Sequence, residues 1–206
     1  MGRLPSCTRA TLSTLKLPVA RWPESTPVMH EGVLLISTHT PVDRDREPAR
    51  RLIRQAISGA LSAVLAIDPV HIHISSNPGQ APRLHLPGFP RAGLSISHEE
   101  GLSIAAVHLY GHVGVDLLRI DDVPDWHQVS RDYLGPQVTD VLSATAPERR
   151  AEQFARHWCT RESALKCHGL ALAEWMPGAS AGCSLFELDV STAIVGAVAI
   201  GTPYTR

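Results

Sequence analysis

Three short segments hold the side chains capable of chemistry. Ser95-Ile96-Ser97-His98 ends on an imidazole, and Gly114-Val115-Asp116 ends on a carboxylate eighteen residues further on. Some forty residues later, Trp158-Cys159-Thr160-Arg161-Glu162-Ser163-Ala164-Leu165-Lys166 adds a second carboxylate and an ammonium group. Two carboxylates suit a hard divalent cation, which prefers oxygen ligands and completes its shell with phosphate oxygens and water. A lysine and a histidine beside them neutralise phosphate charge, and phosphoryl transfer asks mainly for positioning and charge neutralisation. Glu162 and Lys166 stand four residues apart, so on a helix they emerge on one face, with Trp158 one turn earlier. The plain alternative is an exposed ion pair, contributing only ~0.3–0.5 kcal/mol. Trp158 and Ala164-Leu165 favour a helix packed against the body of the protein instead.

These residues need elements to hold them. Leu94 to Ser97, Ser103 to Tyr110 and His112 to Leu118 are β-prone runs, joined by a tight Glu99-Glu100-Gly101 connection and a turn at Gly111. His98 therefore closes a strand and Asp116 is carried on one. Pro147-Glu148 opens a long helix that runs to His168 and is stopped by Gly169. Earlier in the chain, Pro48 fits a first helical turn, with Asp45 and Glu47 at the end favoured by the helix dipole. Leu52, Ile53, Ala56, Ile57, Ala60, Leu61, Val64 and Leu65 then form an apolar stripe of period 3.6, ended by Asp68-Pro69. Arg46, Arg50 and Arg54 share one face beside that stripe, either as a solvated surface or as a grip for an anion. Val33 to Ser37 and His71 to Ser75 read as strands, Asn77-Pro78-Gly79 as a turn, and residues around Gln128 to Leu142 as a polar helical region. Phe186 to Val190 and Ile194 to Ile200 read as a closing hairpin, and the proline-rich first thirty residues as a loosely structured lead-in. Each half thus runs strand, helix, strands. The expectation is an α+β protein of two similar α/β halves, residues 1–110 and 111–206, with the metal site and catalytic helix in the second.

Composition narrows the field. A chain of 206 residues makes one large domain or two small halves sharing a core. A net charge of −1 argues against nucleic-acid binding and against an anionic membrane surface, so any basic site is local. The four cysteines (Cys7, Cys159, Cys167 and Cys183) form no CxxC pair, and Cys159 and Cys167 lie too far apart along one helix to bridge. Reduced thiols and a cytoplasmic location are expected. His71 and His73 would share a strand face, but no third zinc ligand is suggested, so they are read as solvent-facing with Ile72 and Ile74 inward. Met1-Gly2-Arg3-Leu4-Pro5-Ser6 fits the bare myristoylation pattern, which is short and has Pro5 as an awkward neighbour, and is read as chance. No apolar run follows it as a secretory signal would require, and Ala193 to Ile200 is far too short to span a bilayer.

In order and spacing, the three segments resemble the 4′-phosphopantetheinyl transferases of the larger, two-half (Sfp-like) type. That family carries a Ser-x-Ser-His segment, a Gly-(Val/Ile)-Asp-(Leu/Ile)-Glu segment and a Trp-x-x-Lys-Glu-(Ala/Ser) segment with a lysine four residues after its glutamate. The match runs over roughly residues 46 to 172. The resemblance implies a pseudo-twofold fold, Mg²⁺ on Asp116 and Glu162, and CoA phosphates on Ser97, His98 and Lys166, with Arg46 or Arg50 on the 3′-phosphate. It implies a monomer that moves the phosphopantetheine arm of CoA to a serine of an acyl or peptidyl carrier protein, releasing 3′,5′-ADP. Glu162 is the implied acceptor of the serine proton and Lys166 its catalytic companion.

Two positions depart from the pattern. Leu118 stands where many relatives have a second acid, leaving Asp121 or Asp122 as distant substitutes, or a CoA- or carrier-binding relative without turnover as the alternative. Gly79-Gln80-Ala81-Pro82-Arg83 is the nearest counterpart of a Gly-Lys-Pro segment and lacks its lysine, with Arg83 as the candidate replacement. Arg161 in place of the family's lysine keeps the charge.

Overall fold

Alternation of apolar residues along the strands decides the layering. On β3 (Val33–His39), Leu34 and Ile36 point one way and Val33 and Leu35 the other; all four are buried. The first pair meets Ile53, Ala56, Ile57, Ala60 and Leu61 of α1 (Glu47–Leu65), whose apolar stripe is the one read from the sequence. The second pair joins a core shared with Val113, Val115 and Leu117 of β8 (Val113–Arg119) and Val198 of β10 (Ile194–Gly201). Two sheets therefore pack face to face, one covered outside by α1 and the other by α4 (Pro147–Cys167), whose Ala164 and Cys167 meet Leu185 and Ala199. The protein is α+β.

The computed structural model describes residues 12–42, 46–77, 80–177 and 182–203, leaving the side chains of residues 12–14 undescribed. The Met1–Ser6 pattern, Cys7, Asp45 and Pro78-Gly79 lie outside the described residues. One sheet has the order β2-β3-β7-β6, with β2 at Ala20–Arg21, β6 at Gly93–Glu99 and β7 at Leu102–His108. The other has the order β1-β9-β10-β8, with β1 at Leu12–Pro18 and β9 at Cys183–Asp189. Both sheets are mixed: β1 runs parallel to β9 and β2 parallel to β3, and the other ladders are antiparallel. The chain order β3, α1, β6, β7 gives neighbours β3-β7-β6, and the order β8, α4, β9, β10 gives β8-β10-β9.

Three segments differ from the sequence reading. The lead-in is not loose where it is described: β1 and β2 add an edge strand to each sheet, and Leu17 is buried in the shared core. β1, from the first 110 residues, completes the sheet of the second half. The run at His71 is strand only in β4 (His73–Ser75), paired with β5 (Arg83–His85), because Pro69 to His71 forms a turn of 3₁₀-helix capped by Asp68. The helical region after β8 is broken into α2 (Trp126–Val129), a π-turn over Ser130–Leu134 and α3 (Pro136–Ala144). Gly135 makes the break, with φ of 89° and the Trp175 ring where a Cβ would stand.

The two sheets meet at their edges through side chains. Ser95 Oγ accepts from the Val115 N–H (3.0 Å), Ser97 Oγ from the Leu117 N–H (3.1 Å) and Glu99 Oε2 from the Arg119 N–H (3.1 Å). Residues at i, i+2 and i+4 of β6 share a face, so three side chains stand in for a backbone ladder along β8. This seam sets Ser97 against Asp116, with His98 the next residue along β6.

Candidate active site

Asp116 points from β8 toward α4 because Val115 and Leu117 take the opposite, shared-core face. Helix α4 comes very close there: a Cβ on Gly114 would lie 1.9 Å from Ser163 O and 2.4 Å from Cys167 N. Only glycine at 114 permits that approach. The approach delivers Lys166, whose Nζ donates to Asp116 Oδ1 at 2.6 Å and to Val115 O at 3.2 Å. Ser97 Oγ donates to the same Asp116 oxygen at 3.0 Å, and the buried Cys159, whose thiol donates to Val195 O at 3.5 Å, lies close enough to feel the Asp116 charge. Lys166 thus pairs with Asp116 across the helix–sheet interface, in keeping with a packed helix and not with the alternative of an exposed Glu162–Lys166 pair.

Glu162 is half-buried, and its Oε1 is enclosed without a hydrogen-bond partner. Burial first, and then the neighbouring Asp116 charge, push its carboxyl above the ordinary value, against the pull of Lys166 and Arg161. A buried carboxylate oxygen without a donor is costly unless something cationic meets it. Asp116 and Glu162 share one hydrogen-bonded cation, Lys166, while Arg161 is turned to the Ala173 and Glu174 carbonyls. That donor set fits a hard divalent cation such as Mg²⁺. Among the described residues no group of three or more Asp, Glu, His or Cys side chains is placed to hold a metal ion, and Asp121 and Asp122 are exposed. Leu118 shares the face of Asp116 but packs against Ala155, Cys159, Val195 and Ala197, one helical turn before Glu162. The acids brought together at this point are two, Asp116 and Glu162.

On the other side of the seam, His98 lines a cleft of about 610 Å³ with Arg50, Ile53 and Arg54 of α1, Ser76, Asn77, Gln80 and Pro82 of the β4–β5 connection, and Ile96. Arg54 is oriented by Ser76 Oγ at 2.6 Å, and Arg50 by Glu47 at 3.5 Å. Gln80 and Pro82 are the cleft wall contributed by the segment that lacks the lysine; Arg83 sits on β5 opposite Ser75 and is not among the described cleft residues. His98 Nδ1 is held by Ser103 Oγ at 2.6 Å, which leaves Nε2 for a ligand. Burial, then Arg46, Arg50, Lys166 and Arg54, hold the imidazole down at about 4. Four cations therefore converge on one neutral histidine. Bound phosphates would cancel that field, so the His98 pKa is expected to climb toward ~6.5, the ordinary value, when CoA is added. Imidazole NMR titration with and without CoA checks this; an unmoved His98 would remove it from the binding site.

The residues proposed from sequence fall into two connected groups. Asp116, Glu162 and Lys166 form one, Arg46, Arg50 and His98 the other, and Ser97 lies in the seam between them with its hydroxyl engaged on Asp116 and the Leu117 amide. Trp158 faces elsewhere, stacking on Phe154 at 5.8 Å and packing beside Tyr133 and Leu142. Arg161 donates to the Ala173 and Glu174 carbonyls and braces the segment after α4. Two contributors escaped the sequence reading. Ser103 was readable, because the tight turn at 99–101 puts it directly opposite His98 in the hairpin. The nearness of Cys159 to Asp116 was not, since it depends on how deeply α4 settles on β8.

Residues 112–199 match the sequence model of the 4′-phosphopantetheinyl transferase superfamily (ACPS). The matched segment contains Asp116, Glu162 and Lys166; His98 and the arginines of α1 precede it. No curated protein matches the chain.

Proposed function

We propose that this chain, which carries a 4′-phosphopantetheinyl transferase superfamily domain over residues 112–199, transfers the phosphopantetheine arm of CoA to a serine of an acyl or peptidyl carrier protein. The enclosed, unpartnered Glu162 oxygen beside Asp116 is the observation that carries the reading, because it asks for a cation next to a cleft built for anions. In this reading the two halves are related by a pseudo-twofold axis, as their shared strand order suggests, and the enzyme is a cytoplasmic monomer.

Asp116 and Glu162 would hold Mg²⁺, which supplies charge neutralisation for the CoA pyrophosphate. The rest of the work falls to protein side chains. Arg50, Arg54 and Arg46 grip phosphate, a task that suits the planar guanidinium fork. His98 Nε2 offers a hydrogen bond to the same anion. The carrier serine oxygen attacks the phosphorus that bears the pantetheine arm, and the bond from that phosphorus to the 3′,5′-ADP portion breaks. Glu162 is the base for the serine proton, and its raised pKa brings it closer to that task. Lys166 stays on Asp116 until charge builds on the departing phosphate, then lies within the same cluster to offset it.

The test is CoA- and Mg²⁺-dependent addition of one phosphopantetheine to carrier proteins from fatty-acid, polyketide and peptide-synthetase systems, read by intact mass. A carrier panel that stays in the apo form while the protein still binds CoA would favour the non-catalytic relative suggested by Leu118. Lys166→Ala is expected to lower turnover by ~100-fold or more, the scale for loss of one preorganised charge donor. Arg50→Ala is expected to raise KM for CoA ~10-fold or more while leaving KM for the carrier nearly unchanged. A CoA analogue lacking the 3′-phosphate should be used about equally by both proteins. Normal CoA dependence with salt-sensitive carrier use would make the arginine face a docking surface instead.

A further inference from the structure

Two thiols far apart in sequence come together where α4 ends on the second sheet. Cys167 is the last residue of α4 and Cys183 the first of β9. The Cys183 side chain hydrogen-bonds to Cys167 and to His168, the residue that caps the helix. Cys167 is buried, its Sγ 3.4 Å from where a Cβ on Gly201 would stand, whereas Cys183 is only half-buried and reachable by a small molecule. Among the described residues no disulfide joins Cys159, Cys167 or Cys183. Cys159 is fully buried, and burial with the Asp116 charge beside it pushes its thiol up and keeps it inert. None of the phosphoryl-transfer chemistry above uses Cys167 or Cys183.

We propose that Cys183 and Cys167 form a peroxide-reactive dithiol, with Cys183 as the attacking sulfur and Cys167 as the resolving one. The Cys183 thiolate attacks one oxygen of a hydroperoxide, the O–O bond breaks, and the second oxygen leaves with a proton as water or an alcohol. Cys183 is then a sulfenic acid. The Cys167 thiol attacks that sulfur, the S–O bond breaks, and the hydroxyl leaves with the Cys167 proton as water. Two electrons pass from the two sulfurs to the peroxide, and one disulfide remains.

The surroundings support this assignment of roles. The hydrogen bond from Cys167, helped by His168, holds Cys183 down to about 6, and the same contact pushes Cys167 up. At neutral pH Cys183 therefore has more thiolate character than an ordinary cysteine. Lower basicity weakens the nucleophile, which offsets much of that gain in attack rate. Selectivity comes instead from the adjacent resolving thiol, which captures the sulfenic acid before it exchanges with solvent thiols.

The disulfide also reaches the site, on the function proposed above. Closing from a hydrogen bond to an S–S bond of about 2.05 Å requires the sulfurs to move together. The backbone of Cys167 rests on Gly114, two residues before Asp116, and Lys166 is its neighbour. Drawing Cys167 toward β9 displaces Lys166 from Asp116, so the oxidised protein should turn over more slowly.

The experiment treats the full chain with hydrogen peroxide at pH 7 and follows intact mass, peptide maps and carrier modification. Expected are a loss of two hydrogen atoms, a Cys167–Cys183 cross-linked peptide, and turnover that falls and returns with dithiothreitol. Cys183→Ser should keep its turnover through the treatment. Cys167→Ser should leave a sulfenic acid at Cys183, trapped by dimedone. Oxidation of Cys183 no faster than that of glutathione, or a disulfide joining other cysteines, overturns the dithiol. Turnover lost equally in Cys183→Ser overturns its link to the site. The mass and peptide readouts do not depend on transferase activity, so they stand or fall separately from the proposed function.

Discussion

Glu162→Gln is expected to lose ~100-fold or more in carrier modification while raising the melting temperature at pH 7. The two halves of that result come from one cause. Burial and Asp116 raise the Glu162 pKa, so the folded protein disfavours the charged carboxylate relative to the unfolded chain. For a raised carboxyl pKa, the folded state binds more protons between the unfolded and the folded values. Its contribution to stability is greatest below the ordinary carboxylate range and is lost as pH rises through the folded pKa. At pH 7 the wild type therefore carries a strained charge that glutamine removes, and the stability difference should shrink as pH falls through the raised folded value and be gone below ~4.3, the ordinary glutamate value. Mg²⁺ should raise the melting temperature of the wild type and much less that of the variant. A variant that melts lower at pH 7 and ignores pH would mean Glu162 is a structural partner of Arg161 or Lys166. Calorimetry across pH, with and without Mg²⁺, separates the two outcomes.

Gly114→Ala is expected to be among the most damaging single substitutions outside the reacting groups. The new methyl would sit 1.9 Å from Ser163 O, and the obstacle is helix backbone, which cannot rotate aside as a side chain can. Overpacking of this kind costs ~3 kcal/mol or more, equivalent to about 6–12 °C in Tm for a protein of this size. The collision also lifts α4 from β8, so Glu162 and Lys166 retreat from Asp116 together and residual turnover should fall even at temperatures where the variant is folded. Gly169→Ala offers the contrast: Gly169 has φ of 67° but nothing within 4 Å of a Cβ. Its cost should be local strain of ~1–2 kcal/mol with little change in turnover. Equal effects from the two substitutions would show that the close helix–strand approach is not what Gly114 provides.

Local chemistry was legible in the sequence and long-range geometry was not. The helical stripe of α1, the proline start and glycine stop of α4, and the hairpin of β6 and β7 follow from periodicity and turn residues, and all stand where expected. The seam is different in kind. Nothing within Ser95-Ile96-Ser97 announces that its hydroxyls will accept amides twenty residues away, because the partner groups are backbone and carry no residue identity. β1 and β2 were hidden for a related reason: a short parallel edge strand needs only a neighbour with free ladder groups, and its own residues carry little pattern. Glu162 and Lys166 were placed on one face of a packed helix, but the partner that Lys166 meets, Asp116, was not foreseen. Helical spacing shows which side chains emerge together, and the opposing strand decides which of them meet.

The side-chain joint between β6 and β8 also bears on solubility. Each of these strands is the outer edge of its own sheet, and an uncovered edge recruits other strands. Ser95, Ser97 and Glu99 occupy the β8 amides that would otherwise be offered to a neighbouring molecule. The shared core behind them, with Val33, Ile104, Val115 and Val198, is equally divided between the halves. Cutting the chain in the connection at residues 109–112 would therefore not release two soluble half-proteins. It would release one sheet trailing the stray strand β1 and a second sheet deprived of it, each with an open edge and a bare apolar face, and the pieces would aggregate or recombine with each other through the same surface.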